Sequence, residues 1–212
     1  LAKSHGDFPV NGWQIFITPE TNNPLLFNAN QGNENGGSYL YGPISSDYND
    51  GEWHHIAITY ESNIDQASFY FDGVMISNFP SHGNLDLTNI GDLKIGTDRG
   101  NDSFFNGKID EVSIWNKALT QDEIQSYMNI SLNGSEQGLV GYWNFNEEGG
   151  STLADITGNN NDGIIYGATW STDAPALELD INNLYPFVPV QPTGLPYQII
   201  ITDFLINGSA PE

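Results

Sequence analysis

A regular alternation of apolar and mixed positions runs from residue 54 to residue 60. Because successive side chains of a β-strand point to opposite faces, this alternation predicts a half-buried strand with its apolar face on a core. A second apolar run at 68–77 is divided by Asp72-Gly73, a dipeptide that favours a two-residue hairpin turn. Three successive strands are therefore expected. The apolar positions of the first strand are Ile56, Ile58 and Tyr60, and the mixed positions are His55, Ala57 and Thr59.

Shorter apolar runs, each bounded by Asn, Gly or Pro, predict further strands. One short helix is predicted to begin at Thr120, since Thr120 and Glu123 have the spacing of a capping box and apolar residues follow at helical spacing. The helix is expected to end near Asn129. The other predicted strands lie within 13–17, 24–27, 38–44, 93–96, 109–115, 139–145, 164–170 and 176–181.

The predicted strand at 109–115 carries an acidic residue on an apolar face. Simple alternation places Asp110 with Val112 and Ile114. A carboxylate among apolar neighbours needs a cation or hydrogen-bond donors, so Asp110 is a candidate ligand residue. The opposite face then holds Ile109, Glu111, Ser113 and Trp115.

The adjacent residues His54 and His55 invite a metal-binding or catalytic interpretation. Neighbours on a strand point to opposite faces, so the two rings cannot serve one site. The chain contains no Cys, which removes thiolate ligands and disulfides as well. A transition-metal site is therefore not expected.

Length and composition favour one β-rich domain with an appendage. The chain has 212 residues, of which 38% are apolar and 12% aromatic, enough to bury a core. We place the domain at 1–181. Residues 182–196 are a proline-stiffened linker, and 197–212 are interpreted as the start of a following β module.

The charge balance restricts the partners. Five basic and 27 acidic residues give a net charge of −22, which repels phosphate backbones and anionic lipids. Nucleic acid is therefore not an expected partner, and most carboxylates are interpreted as a solvated surface. No run approaches the ~20 apolar residues of a membrane span, so membrane insertion is not expected either.

Four motifs carry a family resemblance, namely GEWHHIAITY, FYFDGVMIS, LKIG and FNGKIDEVSIWNKALTQDEI. In this order they resemble the laminin-G-like, concanavalin A-like jelly-roll modules of secreted bacterial multi-domain proteins. The resemblance implies an all-β sandwich of two antiparallel sheets with one short helix, plus a C-terminal β-rich extension. A later segment, 138–170, also resembles part of such modules and is interpreted as completing the same sandwich.

The resemblance also implies opening strands before the position of Leu1, and Leu1 is expected to follow further sequence in a longer parent. Without those strands, the sandwich has a gap at one edge, and an unpaired edge is prone to aggregation. We hypothesise that an upstream segment, another protomer or residues 139–170 fill this gap.

Asp110 is the first candidate metal ligand, because the resemblance implies that the aspartate of the GKIDEV strand binds a structural Ca²⁺. Calcium takes about six to eight oxygen ligands, which carboxylates and amides can supply. The alternatives are that backbone N–H groups or Lys108 satisfy Asp110, and that the late loop only forms turns. The candidates in that loop are Asn144, Asn146, Glu147 and Asp155.

A sugar-binding surface is predicted beside the Asn- and Gly-rich loop at 28–37. Exposed aromatic rings suit sugar stacking, and the candidates are Trp13, Tyr39 and Tyr41. Trp53, Trp115, Trp143 and Trp170 are assigned mainly to the core. Asp98, Asn101 and Asp102 are a second set of ligand-binding candidates, with turn formation as the alternative.

The resemblance thus implies a non-catalytic module for carbohydrate binding or cell adhesion in a secreted or cell-surface protein. Its expected partners are a glycan, a cell-surface protein, neighbouring modules or another protomer. A purely structural spacer is the alternative function. Hydrolases of the wider fold carry a Glu-x-Asp-x-Glu strand that this sequence lacks, so an enzyme is only the minor alternative.

Overall fold

Two antiparallel sheets form the framework of the fold. The computed structural model describes residues 2–5, 11–17, 25–29, 38–42, 50–80, 91–97, 103–177 and 200–207. In chain order, the elements are β1 (Ala2–His5), β2 (Asn11–Ile17), β3 (Leu25–Ala29), β4 (Ser38–Gly42), β5 (His54–Glu61), β6 (Gln66–Phe71), β7 (Val74–Pro80), β8 (Leu93–Lys94), β9 (Lys108–Asp110), β10 (Val112–Trp115), α1 (Gln121–Tyr127), β11 (Leu139–Trp143), β12 (Thr152–Leu153), β13 (Gly163–Ile164) and β14 (Ile200–Asn207).

The sheet order shows how these strands are connected. Among the described residues, the smaller sheet has the order β4-β3-β2-β1-β8. The larger sheet has the order β11-β10-β14-β5-β6-β7, and β9 also pairs with β14. The pairings in both sheets are antiparallel, and β12 and β13 form a separate antiparallel pair. The predicted all-β sandwich with one short helix is confirmed.

The inter-sheet core lies between the two sheets. The alternation predicted for β5 is confirmed, because Ile56, Ile58 and Tyr60 all belong to this core. The other buried members are Trp13, Ile15, Leu25, Phe27, Ala67, Phe69, Val112, Ile114, Trp143 and Leu153.

A second hydrophobic cluster covers the outer face of the larger sheet, where α1 packs. Trp115 of β10 stacks on Tyr127 of α1, with ring centroids 5.1 Å apart. Six consecutive residues of β5, from His55 to Tyr60, are therefore buried, and the strand is not half-buried as its pattern predicts. This outer cluster contains Ala57, Tyr70, Trp115, Leu119, Ile124, Leu132, Leu139 and Tyr142.

The predicted capping box begins the helix and is confirmed. The Thr120 side chain accepts a hydrogen bond from the backbone N–H of Glu123, and the Glu123 carboxylate accepts one from the Thr120 N–H. Lys117 also donates to Glu123 at 2.6 Å, which ties the residues before the helix to its first turn. No helix among the described residues is long and apolar enough to cross a membrane.

The hairpin between β6 and β7 holds the helix against the sheet. Asp72 and Gly73 have φ angles of 47° and 71°, so the predicted two-residue turn is confirmed. Gln125 of α1 donates to the carbonyl of Gly73 at 2.9 Å, and Gln121 accepts from the N–H of Met75 at 3.1 Å. These two bonds join helix and hairpin across the outer cluster.

A left-handed residue interrupts the regular alternation between β9 and β10. Glu111 has a φ of 52°. Ile109 consequently packs against the inter-sheet core, on the same side as Val112 and Ile114. The prediction that Ile109 shares a face with Trp115 is therefore wrong, because it assumed an uninterrupted strand. The predicted alternation that placed Asp110 on one face with Val112 is broken at the same residue.

Strand β14 lies inside the larger sheet, between β5 and β10. It pairs with both strands in antiparallel register, for example Ile201 with Ile58 and Ser113 with Thr202. The sequence pattern predicts a strand here but assigns it to a following module, whereas in this structure it joins the two halves of the sheet. The segment 139–170, one hypothesised filler of the gap, instead places β11 at the sheet edge beside β10. Local sequence does not specify which long-range partner a strand pairs with.

We predict that Gly73→Ala destabilises the protein more than Gly158→Ala. Both glycines have left-handed φ angles, 71° and 74°, so both substitutions carry a backbone cost of about 1 kcal/mol. A Cβ at Gly73 would also lie 2.6 Å from Met128 Sδ, whereas nothing lies within 4 Å at Gly158. The clash should add about 1–3 kcal/mol to the loss of unfolding free energy, measured by urea denaturation. Equal losses in the two variants would contradict the prediction and show that the Met128 and Gln125 side chains move aside without cost.

Candidate functional site

Asp110 lies at the end of β9, where it is only 8% exposed. Its Oδ1 accepts a hydrogen bond from the N–H of Glu111 at 2.9 Å. Burial, together with the negative charge of Glu147, raises the pKa of Asp110 to about 6 despite this hydrogen bond. The site therefore disfavours a second negative charge and favours a proton or a cation.

Glu147, on the loop after β11, supplies the neighbouring carboxylate. Its Oε1 accepts from the N–H of Ala154 at 2.7 Å. Its Oε2 is buried and has no hydrogen-bond partner. Lys108, the alternative cation for Asp110, instead pairs with Asp173. Among the described residues, the pair Asp110 and Glu147 thus has no protein cation beside it.

The carboxylate of Glu111 is buried as well but belongs to the helix side of the sheet. The Tyr142 hydroxyl donates to Glu111 Oε2, and Tyr142 itself lies in the outer cluster. Burial raises the pKa of Glu111 to about 7, the hydrogen bond from Tyr142 opposes this rise, and the charge of Asp110 reinforces it. Burial and the charge of Glu111 also raise the pKa of Tyr142. The sequence pattern places Glu111 on this face but gives no sign of its partner.

Both carboxylate oxygens of Asp155, a predicted metal ligand, accept hydrogen bonds from protein groups. Its Oδ1 accepts from the N–H groups of Tyr142 and Thr157 and from the Thr157 hydroxyl. Its Oδ2 accepts from the backbone and side-chain N–H groups of Asn161 at 3.1 and 2.9 Å. Burial acts to raise the pKa of Asp155, but these hydrogen bonds outweigh it and lower the pKa. Asp155 therefore organises the loop.

The two asparagines predicted as ligands lie in a turn. The Oδ1 of Asn144 accepts from the N–H of Asn146 at 3.3 Å, a local bond of the kind that shapes Asx turns. This contact corresponds to the turn-forming alternative. The other asparagine, Asn146, is exposed.

Of the predicted sugar-stacking residues, Trp13 is contradicted by the structure. Trp13 is only 2% exposed and lies in the inter-sheet core, so its ring is not available for stacking. The prediction failed because the strand pattern alone did not show which face of β2 meets the larger sheet. Tyr39 and Tyr41 belong to β4, but their side chains lie outside the described part of the structure. Asp98, Asn101 and Asp102 lie outside the described residues altogether.

The adjacent histidines point to opposite faces, as predicted. His55 is buried, and burial lowers its pKa to about 4. His54 lies between Asp50 and Asp72, with nitrogen to oxygen distances of 3.1 and 3.0 Å. Burial opposes the proton on His54, but the two carboxylates outweigh it and raise the pKa. His54 thus bridges the chain before β5 to the hairpin turn.

The side-chain oxygens of Asp110 and Glu147 are suitable as two of the ligands of a calcium ion. Both side chains offer carboxylate oxygens, and one of these oxygens is buried without a partner. In the described part of the chain, no group of three or more His, Cys, Asp or Glu side chains is placed to hold a metal ion. Any further ligands would therefore have to be backbone carbonyls, amides or water.

The fold and its motifs define a class of protein, the antiparallel jelly-roll sandwich. A family model for the laminin G-like group of the concanavalin A-like lectin/glucanases superfamily matches residues 2–125. This match spans more than half of the 212 residues, so the chain belongs to that family.

Comparison with other known proteins adds little beyond the family. Among solved structures, the chain is similar to a candidate carbohydrate-binding protein from Bacteroides ovatus, with 19% identity and a TM-score of 0.48. The similarity covers 77% of this chain and 52% of that protein, so this chain spans about half the length of the structure it matches. No curated protein matches the chain.

We predict that Glu111→Gln weakens the dependence of stability on pH. The folded-state pKa of Glu111, about 7, lies above its ordinary value of 4.5, so the folded protein binds the proton first as pH falls. The wild-type free energy of unfolding should therefore gain on the order of 1 to 3 kcal/mol from this group as pH falls from 8 to 5. Gln retains an acceptor for Tyr142 but does not titrate, so the variant should lack that gain.

The measurement is urea denaturation at several pH values in the presence of a calcium chelator. Glu148→Gln is the matched control, because Glu148 is exposed and lies outside the buried acidic site. The contribution of His55 is common to all three proteins and cancels in the comparison. Parallel pH profiles for wild type and Glu111→Gln would contradict the prediction.

Proposed function

We propose that this chain is a non-catalytic carbohydrate-binding module of a secreted or cell-surface protein. The observation that supports this function most directly is the membership of residues 2–125 in the concanavalin A-like lectin/glucanases superfamily. That superfamily combines sugar binding with sugar hydrolysis, so the choice between them depends on the acidic groups. In an adhesive role, the partners would be glycans on a surface or on a neighbouring protein.

The placement of the carboxyl groups favours binding over hydrolysis. A retaining glycosidase needs two carboxyl groups about 5 Å apart on either side of an accessible glycosidic bond. The two carboxyl groups with strongly raised pKa values, Asp110 and Glu111, are 8% and 5% exposed. Because Glu111 is bonded to Tyr142 under the helix side of the sheet, a polysaccharide cannot contact both.

We also propose that Asp110 and Glu147 hold a structural calcium ion. The bound ion would supply a positive charge beside the buried Asp110 and the buried Oε2 of the half-buried Glu147. Asp110 would contribute the oxygen not bonded to the Glu111 N–H, and Glu147 would contribute its unpartnered Oε2. This arrangement would connect β9 to the loop after β11, which is a stabilising role rather than a catalytic one.

Thermal unfolding with and without calcium tests the metal proposal. At about 100 times the dissociation constant, calcium should add about 2.7 kcal/mol, or roughly 5–10 °C in Tm for a chain of this size. Asp110→Asn and Glu147→Gln should abolish most of this rise, whereas the exposed control Glu148→Gln should retain it. In a chelator, Asp110→Asn should melt at or above the wild-type temperature, because it removes a buried, unpaired charge.

Two outcomes would contradict the calcium proposal. One is a wild-type Tm that does not change with calcium. The other is a rise of equal size in all four proteins, which would place any bound calcium on the general acidic surface and not at Asp110 and Glu147.

A glycan array tests the carbohydrate proposal. We expect the wild-type chain to bind at least one class of glycan above background in the presence of calcium. A structural spacer, the alternative function, would give no signal with any glycan. Release of reducing sugar from a bound glycan would instead favour a hydrolase.

A further inference from the structure

Two strongly exposed apolar side chains lie at the end of β13 and just after it, beyond the family-matched residues 2–125. Ile164 is 67% exposed and Tyr166 is 84% exposed. Ile165, between them, packs against the inter-sheet core, and its N–H donates to the carbonyl of Ser151 at 2.9 Å. Since alternate residues of an extended chain share a face, Ile164 and Tyr166 point outward together, roughly 7 Å apart along the chain.

Trp170 borders the same segment. Its indole N–H donates to the carbonyl of Gly150 at 3.0 Å, and its ring packs partly against the inter-sheet core. The Ile165 N–H is bonded to Ser151 and the Trp170 indole to Gly150, and these two acceptors are consecutive in the chain. The backbone beside Tyr166 and the indole of Trp170 are therefore held close to each other. A Cβ at Gly149 or Gly150 would meet no atom within 4 Å, so the space beside these positions is open.

The β12–β13 strand pair, which precedes Tyr166 and Trp170 in the chain, is well anchored. The Trp143 indole donates to the carbonyl of Asn161 at 3.0 Å, and Asp155 accepts the two hydrogen bonds from Asn161. The Leu153 side chain of β12 is buried in the inter-sheet core. A Tyr side chain on an anchored backbone has only two χ angles to order when it binds a flat ligand, which favours recognition at this position.

The charge of the surroundings selects the kind of ligand. Glu148 and Asp162 are exposed near the two ends of the hairpin, and the chain has a net charge of −22. An anionic ligand would be repelled, whereas the apolar C–H face of an uncharged sugar ring can stack on an aromatic face without a charge cost. Phosphorylated or sulfated ligands are therefore disfavoured.

We infer that Tyr166, with Ile164 and Trp170 beside it, is a stacking platform for the sugar rings of a neutral glycan. The inference rests on the proposed carbohydrate-binding function and assigns that function a position outside the family-matched region. Tyr166 supplies the exposed ring, Ile164 extends the apolar strip, and Trp170 borders it where Gly149 and Gly150 leave space.

Affinity electrophoresis in native gels containing laminarin, mannan, xylan or galactomannan tests the platform. The strongly acidic chain migrates readily in such gels, and binding appears as retardation. Tyr166→Ala should weaken binding to the retarding polysaccharide by about tenfold or more, and Tyr166→Phe should retain it because stacking needs the ring and not the hydroxyl. Phe104→Ala is the matched control, since Phe104 is 72% exposed on a different segment.

The outcomes separate this inference from the proposed function. Wild-type retardation that Tyr166→Ala leaves unchanged, or that Phe104→Ala reduces equally, overturns the platform while carbohydrate binding stands. Absence of wild-type binding both in the gels and on the glycan array overturns both. Because Tyr166 is exposed, its substitution should leave Tm unchanged, and a matching Tm shows that lost retardation is not lost folding.

Discussion

The left-handed backbone at Glu111 determines how the buried charges of this protein are arranged. It allows Ile109 to join the inter-sheet core together with Val112, which a regular strand would not permit. The same break leaves two consecutive carboxyl groups, Asp110 and Glu111, with little access to solvent. Each then needs hydrogen-bond donors or a cation. Glu111 has Tyr142, whereas Asp110 has one backbone N–H and the negative charge of Glu147.

A second constraint is the burial of β5 on both faces. The inter-sheet core covers one face, and α1 with its adjoining loops covers the other. The helix forms only part of this cover. Its hydrogen bonds to Gly73 and Met75 attach it to the β6–β7 hairpin rather than to β5 itself. The three strands and the helix are therefore mutually dependent. This unit is a scaffold in which His55 is buried and His54 is paired with Asp50 and Asp72.

The features that the sequence predicts well are those with local causes. Alternation identifies β5, Asp72-Gly73 identifies the hairpin turn, and Thr120 with Glu123 identifies the helix start. The features that it misses depend on packing between distant segments. Trp13 is a core residue only because its sheet meets the larger one, and Asp155 is a loop organiser only because Tyr142 and Asn161 approach it. Likewise, the sequence predicts the strand at 200–207 but not its place between β5 and β10.

The late loop separates two roles that the sequence pattern assigns to one set of residues. Asp155 uses both carboxylate oxygens to accept hydrogen bonds from N–H and O–H groups, and these bonds hold the loop at 155–161 together. Glu147, eight residues earlier, retains a buried oxygen without a partner. A cation at Glu147 would therefore act on the contact with β9 and also on the residue after β12, because the Ala154 N–H donates to Glu147 Oε1. Asp155, the next residue, is bonded to Asn161 shortly before β13, so the proposed metal lies beside the strand pair that leads to the proposed sugar surface at Tyr166.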